Sequence, residues 1–210
     1  MRRTTDPETL RDHVPSKAFP VVVNWLQQNR VVVKVSPPRS TKLGDYRTAT
    51  RTLPHRISVN RDLNPYAFLV TLVHEFAHYS AHVRYGHRIQ AHGVEWKSEY
   101  RRLMRPYMSR NIFPGDVLEV LMEHLRDAAV SSCSDERLMR ALSNYDPVPR
   151  PFLQDLPEHT VFSFNGRIFI KGHQLRRRFR CRCLTDRRDY LIDPLAEVTV
   201  NQQITTRMAS

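Results

Sequence analysis

The pentapeptide His74-Glu75-Phe76-Ala77-His78 constrains this chain more than any other feature. It ends an apolar stretch, residues 65–73, that reads as a helix. Residues four apart lie on one helix face, so His74 and His78 can grip one metal ion from consecutive turns. Glu75 then sits where it can reach a water on that ion. Two imidazoles in an otherwise apolar helix need partners once buried, and a shared cation supplies one. The H-E-x-x-H spacing, with the glutamate as general base, predicts a zinc-dependent hydrolase, foremost a peptidase.

A zinc peptidase needs three protein ligands and one open position. His82, His87, His92, Glu95 and Glu99 follow in sequence. His82 fails on geometry, because it lies about 12 Å from His74 along a straight helix. The third ligand must come from a segment that folds back, and Gly86 offers the break. His92 opens such a segment, ahead of a second helical pattern around residues 96–104. Gly93 permits close backbone approach, and Trp96 is expected to pack between the two helices. His82 and His87 read as surface or supporting groups, and Glu95 and Glu99 as packing, surface or supporting groups rather than zinc ligands.

The pair H-E-x-x-H and His92-Gly93-Val94-Glu95-Trp96 resembles the SprT-like family, which includes the protease Spartan and bacterial SprT proteins. Residues 41–47, with Gly44 at their centre, are similar to a family strand, and residues 56–60 to the strand before the active-site helix. The resemblance spans residues 19 to 110. It implies His74, His78 and His92 on one catalytic Zn2+, Glu75 as the catalytic base, and a protein as substrate. It also implies action on proteins held on DNA. The fold it implies is α+β and zincin-like, of minimal gluzincin/metzincin type, with a small three-stranded sheet. A small C-terminal β-rich domain follows, resembling a zinc ribbon without its metal.

That last expectation comes from the cysteines. Family members often end in a ribbon with two cysteine pairs, whereas this chain has three cysteines in all, Cys133, Cys181 and Cys183. Cys181 and Cys183 point to one side of a strand, and His159 and His173 are the available complements. A metal-free sheet is the favoured reading, because structural zinc sites show closely spaced ligand pairs. Cys133 reads as a loop residue. An odd, low cysteine count also points to a reducing compartment and a cytoplasmic protein. Met1-Arg2-Arg3 leads into no apolar signal core, and no apolar run is long enough for a bilayer.

Charge is the second constraint. Thirty-three Lys and Arg oppose 21 Asp and Glu, a net charge of +12. Arg176, Arg177, Arg178, Arg180, Arg182, Arg187 and Arg188 crowd the C-terminal part, interleaved with Phe179 and Tyr190. Arg101, Arg102, Arg105 and Arg110 form a second group. Such clusters suit a phosphate backbone, and interleaved aromatics suit stacking on unpaired bases. DNA is therefore a candidate partner, beside RNA or an acidic protein; a solvated face is the competing reading.

The chain then divides into a flexible arm (1–15), a metalloprotease domain (16–146), a proline-rich linker (147–157) and a basic β-rich domain (158–210). Helices are expected near 19–29, 64–85, 94–108, 115–127 and 135–144, and strands near 31–35, 41–48 and 55–60. Residues 161–164 and 167–170 flank Asn165-Gly166 and read as a hairpin, with further strands near 174–182, 187–192 and 196–200. Leu43, Gly44, Asp45 and Tyr46 are the expected substrate-binding residues, on an edge strand to which an extended peptide can add. Tyr46 and Tyr100 are the candidates for stabilising the oxyanion. The alternative to a peptidase is a nucleic-acid-binding protein whose zinc site is structural or inactive. Oligomeric state is not legible.

Overall fold

The computed structural model describes residues 6–39, 42–126 and 135–200. The chain separates into two units, Met1–Pro147 and Val148–Ser210. Cys133 lies outside the described residues. No described helix is long and apolar enough to cross a membrane.

The first unit is built around one buried helix. Helices α1 (Phe19–Gln28), α2 (Pro65–Tyr85), α3 (Val94–Met104), α4 (Gly115–Arg126) and α5 (Glu136–Ser143) accompany strands β1 (Val31–Ser36), β2 (Gly44–Arg47) and β3 (His55–Asn60). Asn64 caps α2, its side-chain oxygen accepting from the backbone of Tyr66 and Ala67, and Pro65 takes the first turn, where no N–H is needed. The Asn64 amide donates to Leu142 O at 2.9 Å and Asp146 Oδ1 at 2.7 Å, which ties the start of α2 to the end of α5. Residues 67–77 of α2 are buried on every side, the mark of a central helix. Gly86, at φ +83°, ends it.

The sheet runs in the order β1-β3-β2, with β1 parallel and β2 antiparallel to β3. Alternation puts Ile57 and Val59 of β3 and Val31 and Val33 of β1 into the core with Phe68, Leu69, Leu72 and Phe76. β2 is an edge strand. Helix α3 repeats its buried positions at 96, 99, 100, 103 and 104, and α2 and α3 pack on each other.

Within the expected flexible arm, the described residues 6–15 are packed against the unit. Pro7–His13 form a 3-10 helix capped by Asp6. Leu10 is wholly buried, Val14 nearly so, and His13 stacks on Phe68 at 5.1 Å. One apolar residue at each of these two positions was enough to dock the segment, although its composition is polar.

The second unit is a five-stranded antiparallel sheet, β7-β6-β5-β4-β8, of β4 (Val161–Phe164), β5 (Arg167–Leu175), β6 (Arg178–Cys183), β7 (Asp189–Ile192) and β8 (Thr199–Val200). The expected hairpin is β4–β5, turning on Asn165 and Gly166, both at positive φ. Residues 174–182 are not one strand, because β5 ends at Leu175, the chain turns at Arg176 (φ 27°), and β6 begins at Arg178. The last part of the expected linker belongs to this unit, since Leu153 is fully buried with Phe162, Phe169 and Val198. The Phe179, Cys181 and Cys183 side chains face the same core.

Leu10→Ala should destabilise the first unit by about 2–5 kcal/mol, the cost of a core truncation. Urea unfolding measures it, and an exposed arm would show no change.

Candidate metal centre

Helix α2 carries His74 and His78 on one face. The chain returns through Gly86 and residues 87–93, and delivers His92 just before α3 begins. His92 adopts a left-handed backbone, φ 59°, a conformation that costs a non-glycine residue energy and concentrates at functional sites. Gly93 is required beside it, because a Cβ there would lie 2.9 Å from the carbonyl of Gln90.

The three Nε2 atoms converge. His74 to His78 is 3.2 Å, His78 to His92 is 3.1 Å, and His92 to His74 is 3.1 Å. Tetrahedral zinc with bonds of 2.0–2.1 Å spaces two ligand nitrogens about 3.3 Å apart, so the triangle fits such an ion. Burial lowers the pKa of all three rings, His74 to about 2 and His78 to about 4, and the neighbouring imidazoles push His74 and His78 further down. All three are therefore neutral and present lone pairs, the state a metal ligand needs. Among the described residues this is the one cluster of three or more His, Cys, Asp or Glu with converging ligand atoms.

Trp96 forms the wall behind them. Its ring lies 4.7 Å from His74, 5.2 Å from His78 and 4.7 Å from His92, and stacks on Tyr100 at 4.9 Å. His82, two turns along α2, belongs to a separate group, with its ring 5.5 Å from His55 and 6.2 Å from Tyr46. His87 is exposed.

Glu75 is buried beneath β2. A Cβ on Gly44 would come within 2.6 Å of Glu75 Cγ and 2.8 Å of Thr71 Cγ2, so only glycine lets the strand cross the helix here. Burial raises the Glu75 carboxyl to about 7, and the charge of Asp45 adds to this. The backbone N–H of Tyr46 and the charges of Arg39 and Lys42 oppose it. A dication on the three histidines would act in that same opposing direction.

The other expected residues take clear places. Asp45 bonds Lys42 at 2.7 Å and Arg47 at 2.8 Å. The Tyr46 hydroxyl is 2.9 Å from His55 Nδ1, and Tyr100 is fully buried. The Tyr46 hydroxyl is therefore already engaged rather than free for an oxyanion. Arg178, Arg180 and Arg182 alternate outward along β6, flanked by the turns that hold Arg176, Arg177, Arg187 and Arg188. Arg180 and Arg182 both bind Asp189. Phe179 is not available for base stacking, because alternation turns it into the core, where Lys171 Nζ sits 4.0 Å over its ring. Tyr190 packs edge-on against Phe169 and bonds Asp186.

Of the roles expected for Glu99, packing, surface or support of the site, the structure bears out support from a buried position. Glu99 is buried between α2 and α3, accepting from Ser80 at 2.7 Å, Arg84 at 2.8 Å and Arg102 at 2.5 Å. It locks α3, and so Trp96, against the helix that carries the ligands. Its place on the apolar stripe of α3, three residues past Trp96, was the available signal.

Burial alone would raise the Glu99 carboxyl, but the bonds from Arg102, Ser80 and Arg84 win and hold it at about 2, against an ordinary 4.5. A depressed folded pKa stabilises fully above the unfolded value and less as pH falls through the folded one. Both guanidiniums are about half exposed, which screens the pairs. The expected loss between pH 4.5 and 2 is therefore only about 1–3 kcal/mol. Urea titrations at stepped pH should show it in the wild type and a flatter profile in Glu99→Gln.

No curated protein and no solved structure matches the chain. The model of the SprT-like family matches residues 16–115, a span that holds α1, the whole three-stranded sheet, all three histidines and Glu75. This part of the chain is a SprT-like domain.

Proposed function

We propose that the protein is a zinc-dependent endopeptidase. The observation that carries this reading is the 3.1–3.2 Å triangle of imidazole nitrogens with a buried carboxylate on the same helical turn. A purely structural metal site has no use for that carboxylate. Zinc held by His74, His78 and His92 supplies Lewis acidity to a carbonyl and to water. Glu75 accepts the proton of the attacking water and returns it to the amine nitrogen as the peptide bond breaks. Its high pKa suits both halves of that transfer. β2 lies over Glu75 with one edge unpaired, so an extended substrate added beside Leu43, Gly44, Asp45 and Tyr46 passes the base. Tyr46 helps to hold the strand through His55.

The substrates proposed are proteins bound to DNA. The support is the row of arginines on the outer side of β6, which tracks a phosphate backbone without aromatic stacking. With two of the three strand arginines paired to Asp189, this row favours general rather than base-specific contact.

Glu75→Gln should retain one zinc per chain by elemental analysis and lose about 10²–10⁴-fold in cleavage of a basic DNA-binding protein. His92→Ala should lose the metal itself. Cleavage that survives Glu75→Gln would remove Glu75 as the base, and a chain that binds zinc but cleaves nothing, with or without single-stranded DNA, would leave the nucleic-acid-binding alternative. Gly44→Ala should keep the zinc and lose activity, because its methyl group displaces Glu75.

A further inference from the structure

The three-stranded sheet of the first unit has a second face, turned away from α2. Between residues 30 and 61 the chain has eight basic residues (Arg30, Lys34, Arg39, Lys42, Arg47, Arg51, Arg56, Arg61) against one acid, Asp45. The ladder sorts several of them onto this face. Gly44 pairs with Val59 and Tyr46 with Ile57 on the side of α2, which leaves Asp45 opposite Ser58 and Arg47 opposite Arg56 on the outer side. On β1, Lys34 pairs with Ser58 and Val32 with Arg56. Lys34, Lys42, Arg47 and Arg56 are exposed.

Arg39 joins this face from the connection between β1 and β2 and is held there. Its guanidinium donates to Asn60 Oδ1 at 2.8 Å and Ser58 Oγ at 2.9 Å, and the buried Asn60 amide returns bonds to the carbonyls of Arg39 and Lys42. Two features separate this surface from an ordinary solvated one. Arg47 stands directly opposite Arg56, a like-charge pair that destabilises a sheet; Asp45 bonds Arg47 but is shared with Lys42 and does not bond Arg56. Among the described residues, neither Arg56 nor Lys34 has an anionic partner, whereas Arg180 and Arg182 of the C-terminal sheet share Asp189. Lys34 and Arg56 therefore stand unneutralised among the described residues, as Arg178 does on β6.

We infer that this outer sheet face, centred on Lys34, Arg47 and Arg56 with Arg39 held beside them, binds the phosphate backbone of a nucleic acid. The face offers cations and a serine hydroxyl. That chemistry fits a polyanion read through charge better than a peptide, which needs an apolar anchor. The inference goes beyond the arginine row of β6 and is independent of the peptidase reading, because binding is measured without cleavage.

The test uses the full chain and a fluorescein-labelled single-stranded oligonucleotide, followed by anisotropy over a salt series. Lys34→Ala/Arg47→Ala/Arg56→Ala alters only exposed side chains, none of them a metal ligand or one of the proposed substrate-binding residues Leu43 to Tyr46, and zinc content and circular dichroism verify its fold. Affinity should fall about tenfold or more near 0.1 M salt, with a log–log salt slope shallower by about 2, since each lost phosphate contact removes about 0.7. Residual binding should also persist in Arg178→Ala/Arg180→Ala/Arg182→Ala. An unchanged affinity and slope in the sheet variant would overturn the assignment. So would an oligonucleotide affinity that the sheet variant keeps while its binding to an acidic peptide or to phosphatidylserine vesicles is lost.

Discussion

Everything in the first unit follows from placing two imidazoles and a carboxylate on the most buried helix of the fold. Polar groups there are costly unless each has a partner. The unit meets the demand from three directions. The sheet covers α2 with Ile57 and Val59 and passes Gly44 over Glu75. The return through Gly86 brings His92 to complete the nitrogen triangle. Trp96 closes the back of it. Neutral rings converging within hydrogen-bond distance of one another, on a backbone strained at His92, are poor structural elements by themselves and good ligands.

The return helix has a polar anchor as well, because the buried stripe of α3 includes a carboxylate among Trp96, Tyr100, Leu103 and Met104. Glu99 provides it. A carboxylate buried at the helix interface and reached by Ser80 and Arg84 from α2 and Arg102 from α3 fixes the rotation of α3. The same rotation aims Trp96 at the histidines. The geometry of the metal centre thus depends on a charge that never touches it.

Local patterns were legible in the sequence and long-range pairings were not. The α2 boundaries follow from Asn64-Pro65 at one end and Gly86 at the other, the β4–β5 hairpin from Asn165-Gly166, and the ligand pair from i, i+4 spacing. His92 was reachable because the helix geometry excluded His82 and a break followed. The docking of Leu10 and His13 was illegible, since Phe68 lies far along the chain and nothing near position 10 announces it. Phe179 was misread as a stacking residue because its side depends on where β6 starts, and the arginine run at 176–178 hides that start. The basic face of the first sheet needs the β2–β3 register, which composition cannot supply; the eight cations of residues 30–61 are scattered and do not form a run.

That register also explains why a four-residue strand can serve so many demands. Each side of β2 is occupied differently. Towards α2, Gly44 gives space to Glu75 and Tyr46 reaches His55. Away from α2, Asp45 holds Lys42 and Arg47 on the basic face. Along one edge β3 fixes its position, and the other edge stays open. Because side chains alternate and backbone groups lie in the plane of the sheet, a peptide at the open edge and a polyanion on the outer face would not compete for the same atoms. Asp45 is the residue common to both sides, close enough to Glu75 to disfavour its charge and bonded to two cations of the outer face. A single acid among eight bases is therefore placed where it organises the basic face without neutralising it, and where its own charge bears on the buried glutamate.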